Sequence, residues 1–431
     1  MYPNLYYAFK DLFGLEIPAL RFVNSFGFFL AIAFLVAAAL LGMEMKRKSK
    51  AGLLQPTELE ITVGRPVTAS ELIINFLIGF LFGYKILALF FLSSDATQDP
   101  QTFIFSGMGN WPLGITLGAL FAGLKWWDKK KHQLAKPEKR KVRIWPQDRV
   151  GEITILGLIF GVIGAKMFDI FENWSDFLDR PLEYILSGGG LTFYGGLICA
   201  TIAIIWYARK HNISVRHLAD AIAPSLMIAY AIGRIGCQVA GDGDWGIYNT
   251  AYTTDAVGNI LPALPSDFDS SLKANATFFS HDLAEFGEVR NTNFPKPSAL
   301  SFLPDWMFAY NYPNNVNKVG VPIAGCTEQH CAQLPVPTFP TPFYETIACS
   351  LLFLLLWSLR KKLKPVGSLF ALYLIVNGLE RFFIEKIRVN NRLNFLGMHP
   401  TQAEIISLGL VLTGIGLWIY LIRTYREKLI K

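Results

Sequence analysis

The chain has 431 residues, of which 52% are hydrophobic and only 17% are charged, well below the roughly 25% charge of typical soluble domains. This balance excludes an ordinary soluble protein, because several apolar segments approach the roughly 20 residues that cross a bilayer core. The net charge of +7 does not indicate nucleic-acid binding, because the basic residues lie in short connections between apolar segments, where they set orientation and contact anionic lipids.

The apolar segments predict an all-α polytopic membrane protein with about nine spans. In chain order they are residues 20–43, 71–93, 110–127, 151–171, 187–208, 218–237, 343–359, 367–385 and 402–422. The basic connections are 46–50, 125–143, 209–217, 360–364 and 423–431. Nine spans place all of these on one side, which predicts an N-terminus outside and a C-terminus in the cytoplasm. No cleavable leader pattern precedes the first span, so we expect that span to be retained.

Two segments stand out from this single membrane domain. Residues 65–127 form an extra transmembrane hairpin whose sequence suggests no chemistry. Residues 247–339 are rich in Pro, Asn, Asp, Ser and aromatic side chains, and we expect a small irregular subdomain on the outer side. Inside it, Cys326 and Cys331 are spaced for a disulfide if the compartment is oxidising, whereas a metal site with His330 is the alternative.

Ionisable side chains at bilayer depth are candidates for function because each costs several kcal/mol if it is left alone. They are Lys85, Lys166, Asp169, Asp220, Arg234, Glu345, Glu380, Arg381 and Glu385. We expect Lys85 to reach the interface and Lys166 to pair with Asp169, as structural features. Most of the others lie at the outer ends of their spans, and Arg381, Glu385 and Arg388 share one helix face. Several arginines at one level suit a phosphate group, which guanidinium binds in a bidentate manner.

The stretch "SGGGLTFYGGLICA" at residues 187–200 opens the fifth span. Its glycines have two interpretations. They permit a lipid or peptide to pass close to the backbone, or they pack two helices together.

The segments "SGGGLTFYGGLICA" (187–200), "GRIGCQVAGDGDWG" (233–246), "PTPFYE" (340–345) and "NGLERFFIE" (377–385) follow one another along the chain. Together they resemble, in the same order, four motifs of the bacterial prolipoprotein diacylglyceryl transferase family. "GRIGCQVAGDGDWG" is similar to the family's Gly-Arg-x-Gly signature, with Cys237, Gln238 and Ala240 replacing its Asn, Phe and second Asn. Asp242 stands where the family has Glu. "SGGGLTFYGG" resembles its Gly-rich segment with Tyr194 in place of a His, and "PTPFYE" and "NGLERFFIE" resemble its Tyr-Glu and Arg-x-x-x-Glu motifs.

The resemblance implies a transferase that moves the diacylglyceryl group of phosphatidylglycerol to the lipobox cysteine thiol of a prolipoprotein. No cofactor and no metal are expected. The expected partners are phosphatidylglycerol, the prolipoprotein signal peptide with its lipobox, and membrane lipids, in the bacterial inner membrane with the site on the extracytoplasmic side. The catalytic candidates are Arg234, Arg381, Asp242, Tyr194 and Glu345. The substrate-binding candidates are Gly195, Gly196, Gly233, Gly236, Cys237, Glu385 and Arg388.

Within this hypothesis Arg234 and Arg381 hold the phosphate, while Asp242 and Glu345 orient these arginines or the incoming backbone. Either Asp242 or Asp244 balances the arginine charge. Tyrosine is a poor base at neutral pH, so Tyr194 leaves two routes for the thiol proton, a carboxylate base or deprotonation assisted by the substrate. Cys237 is interpreted as a small apolar filler, with a covalent nucleophile as the alternative. Two other functions stay open, a non-catalytic homologue that binds lipid or lipoprotein and, less favoured, a transporter.

Overall fold

The computed structural model describes residues 1–90, 108–186, 192–390, 392–393 and 399–430. Its α-helices are α1 (Leu5–Phe13), α2 (Ser25–Lys50), α3 (Ala69–Leu81), α4 (Trp111–Lys131), α5 (Val150–Glu172), α6 (Trp174–Asp179), α7 (Pro181–Leu186), α8 (Phe193–Lys210), α9 (Val215–Ala240), α10 (Asp267–Ala274), α11 (Ala276–Phe286), α12 (Thr341–Leu359), α13 (Ser368–Glu385) and α14 (Gln402–Ile430). Its strands are β1 (Thr57–Val63), β2 (Glu138–Ile144), β3 (Tyr248–Asn249), β4 (Tyr252–Thr254), β5 (Ile260–Pro262), β6 (Asn291–Thr292), β7 (Val321–Pro322) and β8 (Ala332–Gln333).

The protein is an all-α polytopic membrane protein, as the composition predicts. Six helices of the described ranges are long and apolar enough to cross a bilayer, namely Ser25–Lys50, Ala69–Ile86, Pro146–Glu172, Val215–Ala240, Thr341–Leu359 and Gln402–Glu427. The other three predicted spans coincide with α4, α8 and α13. The count of nine spans and their orientation stay predictions. Residues 187–191 of the glycine-rich stretch, and most of the connection after the second span, lie outside the described residues.

The chain divides into two compact units. One consists of Met1–Leu15, Val23–Leu41 and Arg216–Lys431, and the other of Glu16–Phe22 and Gly42–Val215.

The second unit contains the extra hairpin and the pair α5–α8. Helix α3 packs on α4 through Phe80 and Trp111, whose ring centroids are 5.4 Å apart. The strands β1 and β2 pair antiparallel on either side of this hairpin in the sequence. In α5 the Lys166 Nζ lies 3.6 Å from an Asp169 carboxylate oxygen, so the expected pairing of these residues is confirmed.

In the first unit an apolar core joins α9, α12 and α13. Its buried members are Met227, Ala231, Cys349, Leu356 and Leu369. At one end of this core Asp220 accepts hydrogen bonds from the backbone N–H groups of Gly367, at 2.7 Å, and Phe370, at 3.0 Å. Asp220 therefore holds the start of α13, which gives this buried carboxylate a structural role.

Residues 247–339 form a folded insertion of short strands and the helices α10 and α11. Strand β3 pairs parallel with β6, β4 pairs antiparallel with β5, and β7 pairs antiparallel with β8. Tyr248, Phe279 and Val336 are its buried core. Cys326 and Cys331 form a disulfide, so the disulfide prediction is confirmed over the metal site.

Candidate active site

The candidate site lies where three helix ends of the first unit meet one loop. The C-terminal end of α9 brings Arg234, and the start of α12 brings Glu345. The end of α13 and the residues after it bring Arg381, Glu385 and Arg388. The loop that follows α9 adds Asp244, which the sequence offered only as an alternative to Asp242 for balancing the arginine charge. The structure thus brings together the charged candidates that the sequence placed at the ends of the sixth, seventh and eighth spans.

Glu345 is the centre of this cluster, with a side chain that is 0% exposed. Its Oε2 lies 2.8 Å from Arg234 Nε. Its Oε1 accepts hydrogen bonds from Arg381 Nη1 at 3.2 Å and from the Tyr230 hydroxyl at 2.9 Å. A carboxylate buried at this depth is stable only when it is paired and hydrogen-bonded, so Glu345 and its arginines stabilise one another.

Asp244 connects the two arginines that come from different helices. One carboxylate oxygen accepts a hydrogen bond from Arg234 Nη1, and the other accepts one from Arg388 Nη2. Burial would raise the pKa of the Asp244 carboxyl, but the attraction of Arg234 and Arg388 outweighs it and lowers the pKa to about 2. Asp244 is therefore ionised at any physiological pH and holds both guanidinium groups in place.

Of the two aspartates that the sequence left open for balancing the arginine charge, Asp244 makes the ion pairs with the arginines, and it also takes the orienting role expected of Asp242. Asp242 accepts a hydrogen bond from the Asp244 backbone N–H at 3.4 Å. Burial, followed by repulsion from Asp244, raises the pKa of the Asp242 carboxyl. Gly243 and Asp244 follow Asp242 in the turn before Trp245, and this turn carries the second carboxylate back towards the arginines.

Glu385 holds Arg381 from the other side. Its Oε2 lies 3.0 Å from Arg381 Nη2, and its Oε1 accepts a hydrogen bond from Asn390 Nδ2 at 2.6 Å. The two residues are separated by one helical turn of α13, so their ion pair follows from the i, i+4 spacing. Arg381 thus lies between Glu345 and Glu385, both of which are fully buried.

Backbone contacts hold the loop after α9 against the end of α13. The Gly246 N–H donates to the Phe339 carbonyl at 2.9 Å, and the Ile247 N–H donates to the Ile387 carbonyl at 2.9 Å. A Cβ at Gly246 would lie 2.6 Å from the Ile387 carbonyl oxygen, so only glycine permits this approach. The hydroxyl of Thr341 donates to the Asp244 carbonyl at 2.7 Å and joins the start of α12 to the same loop.

Tyr230 is a member of the site that the sequence did not single out. Its ring lies 5.2 Å from the Arg234 guanidinium carbon, a cation–π contact, and its hydroxyl bonds Glu345. The signal was available in the spacing, because Tyr230 precedes Arg234 by four residues on the same helix face.

Cys237 lies beside the arginine cluster and is 6% exposed. Its Sγ is 3.7 Å from Arg234 Nη1 and 3.7 Å from an Asp244 carboxylate oxygen. Potential ligand atoms of Cys237, Asp242 and Asp244 lie within 4.8 Å of one another. Two guanidinium groups already neutralise Asp244, which disfavours a further cation at this point.

The glycine candidates separate into two groups. A Cβ at Gly236 would lie 3.1 Å from the Phe29 side chain, so this glycine packs α9 against α2, whereas a Cβ at Gly233 would meet open space. In the other unit a Cβ at Gly195 would clash with Phe168 at 2.4 Å, and one at Gly196 would lie 2.7 Å from the Gly161 carbonyl oxygen. These two glycines pack α8 on α5, the helix-packing interpretation that the sequence left open.

Tyr194 lies in the first turn of α8, in the same unit as those two glycines. Its part in the reaction stays a prediction.

The fold and the site together define a helical membrane protein with a buried cluster of arginines and carboxylates at one end of a helix group. A sequence model described as prolipoprotein diacylglyceryl transferase matches residues 110–420, more than half of the chain. The chain belongs to this family and is a transferase.

Relatives from several bacteria agree with this assignment. The chain is 26% identical to a phosphatidylglycerol–prolipoprotein diacylglyceryl transferase of Shouchella clausii over 278 residues, which are 64% of this chain and 76% of the relative. It is 24% identical over 291 residues to the enzyme of that name from Vibrio parahaemolyticus, which are 66% of this chain and 79% of the relative. It is 25% identical over 292 residues to the enzyme of that name from Clostridium tetani, which are 68% of this chain and 87% of the relative. These names do not favour the transporter or the non-catalytic homologue.

Proposed function

We propose that this protein transfers the diacylglyceryl group of phosphatidylglycerol to the lipobox cysteine of prolipoproteins, the first step of lipoprotein maturation. The observation that carries the proposal is the convergence of Arg234, Arg381 and Arg388 around the fully buried Glu345. Guanidinium stays charged in a low-dielectric site and matches a phosphate in geometry. The names of the relatives supply the substrates.

The reaction makes two demands on the site. The thiol must lose its proton, because the thiolate is the nucleophile. The sulfur then forms a bond to the glyceryl carbon that carries the phosphate, while the bond from that carbon to the phosphate oxygen breaks. The electron pair leaves on the oxygen, and the phosphate group gains negative charge, which fixed positive groups must stabilise.

The three arginines meet the second demand in our proposal. Arg388 Nε and Nη1 are buried and form no hydrogen bond among the described residues, so they are free to donate to a phosphate oxygen. Arg234 and Arg381 add two further guanidinium groups to the cluster, held by Asp244, Glu345 and Glu385. The carboxylates are thus positioning residues, which fix the guanidinium groups before the substrate arrives.

We further propose that the site faces the extracytoplasmic side of the bacterial inner membrane. The site lies at the end of α9, the start of α12 and the end of α13. The basic connections 209–217 and 360–364 lie at the opposite ends of these helices, where the positive-inside rule places the cytoplasm. The insertion 247–339 then lies on the side from which a prolipoprotein presents its lipobox cysteine, and we propose that it helps to admit this partner.

The test is a purified-protein assay in detergent micelles, with phosphatidylglycerol and a lipobox peptide, that follows release of glycerol phosphate. Arg234→Ala and Arg381→Ala should each lower kcat/KM by at least about 100-fold, since each removes a buried donor to the developing charge. Arg209→Ala, an exposed arginine at the end of α8, is the matched control and should keep wild-type activity. Equal, negligible release by wild type and both variants would refute the transferase proposal.

A further inference from the structure

Glu380 is a carboxylate beside the candidate site that has no assigned role. It lies in α13 directly before Arg381, at bilayer depth. Both of its carboxylate oxygens are buried, and neither has a hydrogen-bond partner among the described residues. An ionisable group in that condition is costly, so its presence requires an explanation.

The other carboxylates of the site are all engaged. Asp244 bonds two arginines, Glu345 bonds Arg381 and Tyr230, and Glu385 contacts Arg381 and Asn390. Three arginines therefore face three engaged carboxylates, and the charges of this set already balance. Glu380 is additional to the set, and it has lone pairs that no neighbour uses.

Glu380 lies within electrostatic reach of the arginine cluster. Tyr230 and Arg234 of α9 interact with it electrostatically, and so do Glu345 and Cys349 of α12. From its own segment Tyr373, Arg381 and Arg388 interact with it. Helix α14 carries no charged residue between Glu404, which pairs with Lys386 at 2.5 Å, and Arg423.

This position has two properties that a proton acceptor for a thiol requires. The three arginines attract the carboxylate, against its burial and the repulsion of Glu345, and they leave its oxygens without a hydrogen bond among the described residues, so the oxygens can receive a proton. The thiol attacks the carbon that carries the phosphate, and the arginines hold that phosphate in our proposal. A thiol bound for the reaction would therefore lie near Glu380.

We propose that Glu380 accepts the proton of the lipobox thiol, an inference that rests on the proposed function and names its base. The S–H proton moves to a Glu380 oxygen as the sulfur forms its bond to the glyceryl carbon. The carbon–oxygen bond to phosphate breaks, and its electrons stay on the phosphate oxygen, which faces the arginines. Glu380 then passes the proton to the departing glycerol phosphate or to water, which restores the carboxylate.

The decisive variant is Glu380→Gln, which keeps the shape of the side chain and removes its ability to accept a proton. General base catalysis contributes roughly 100- to 10,000-fold, so turnover at pH 7 should fall at least 100-fold, while phosphatidylglycerol binding to the purified protein stays within about twofold. The loss should shrink as the pH rises towards 9, because a free thiol with a pKa near 8.5 ionises without help. Glu138→Gln, on an exposed strand of the other unit, is the matched control.

A purely structural role gives a different result, a loss that is equal at pH 7 and pH 9 together with a lower Tm, and that outcome overturns the inference. Unchanged turnover of Glu380→Gln overturns it as well. If this variant does not fold, Glu380→His provides the test, since it should keep turnover with a new inflection near pH 6.5, and a flat profile there contradicts the inference. Absence of activity in the wild type would instead refute the proposed function, so the two failures are distinguishable.

Discussion

The role of Asp244 gives the sharpest prediction about how the arginine cluster is held. Asp244→Asn keeps the size of the side chain but removes the charge that joins Arg234 to Arg388. The amide can accept one hydrogen bond with its oxygen, whereas its NH2 group faces a guanidinium and cannot donate to it. We therefore expect the two arginines to separate and the site to lose its order.

The pKa of Asp244 sets the scale of the effect on stability. A shift from 3.8 to about 2 corresponds to roughly 2.5 kcal/mol if the side chain were fully buried. The side chain is 35% exposed, so solvent screening reduces this contribution to about 1–2 kcal/mol. The effect on catalysis is larger, because two charge-assisted hydrogen bonds are lost. If each of these hydrogen bonds contributes about 1–1.5 kcal/mol after screening, kcat/KM should fall roughly 30- to 150-fold.

The direction of the pH dependence follows from the lowered pKa. The stabilisation by Asp244 is fully present above its unfolded pKa of about 3.9 and is lost as the pH falls through the folded value of about 2. The difference in Tm between wild type and Asp244→Asn should therefore be constant from pH 5 to pH 9 and should vanish in strong acid.

The assay pairs thermal unfolding in detergent with the glycerol phosphate release measurement. Asp242→Asn is the matched control, two residues away in the same loop and without an arginine contact in the structure, and should retain activity within about threefold. If Asp242→Asn is as damaging as Asp244→Asn, or if Asp244→Asn behaves as the wild type, the assignment of the arginine contacts to Asp244 is wrong.

Two further changes test other parts of the site. Cys237→Ser should keep at least a third of wild-type turnover, because the thiol is a buried filler beside Arg234; a loss of 1000-fold with unchanged Tm would favour a covalent nucleophile instead. Gly246→Ala should lower Tm and activity together, because the added Cβ would lie 2.6 Å from the Ile387 carbonyl oxygen. This contact would push the loop after α9 away from the end of α13. The control for it is Gly233→Ala, where no atom lies within 4 Å and the helix should gain roughly 1 kcal/mol in propensity; equal Tm changes in the two variants would contradict the close-approach argument.

Helix positions and the charged membrane residues were predictable from the sequence because both follow local rules. Apolar runs near 20 residues long locate the spans, and the α-helical repeat places Arg381 and Glu385 on one face. The cluster of Arg234, Glu345 and Arg381 followed from their common level at the ends of three predicted spans.

Contacts made by loops were not predictable in the same way. The alignment to the family motif assigned the arginine contact to Asp242, but backbone bonds between Gly246, Ile247 and the end of α13 decide which aspartate reaches the arginines. The same holds for Gly195. A glycine-rich stretch is compatible with both lipid passage and helix packing, and only the position of Phe168 on α5 distinguishes these two interpretations. Tyr230 was missed although its spacing of four residues before Arg234 places both on one helix face, because the spacing alone does not show its hydrogen bond to Glu345.

The stretch that departs most from the family motif keeps the property that the chemistry needs. Cys237 places a small uncharged side chain beside Arg234, so it changes neither the charge of the site nor the number of guanidinium groups. The turn before Trp245 brings Asp244 to the arginines, which gives a balance of three positive and three engaged negative groups. A site that binds an anionic lipid and expels a phosphate depends on that balance and on the position of the donors more than on the identity of each supporting residue. If Tyr194 stands where the family motif has a His, as the sequence predicts, a familiar base is missing there, and we propose that Glu380, whose carboxylate oxygens have no hydrogen-bond partner among the described residues, takes that role.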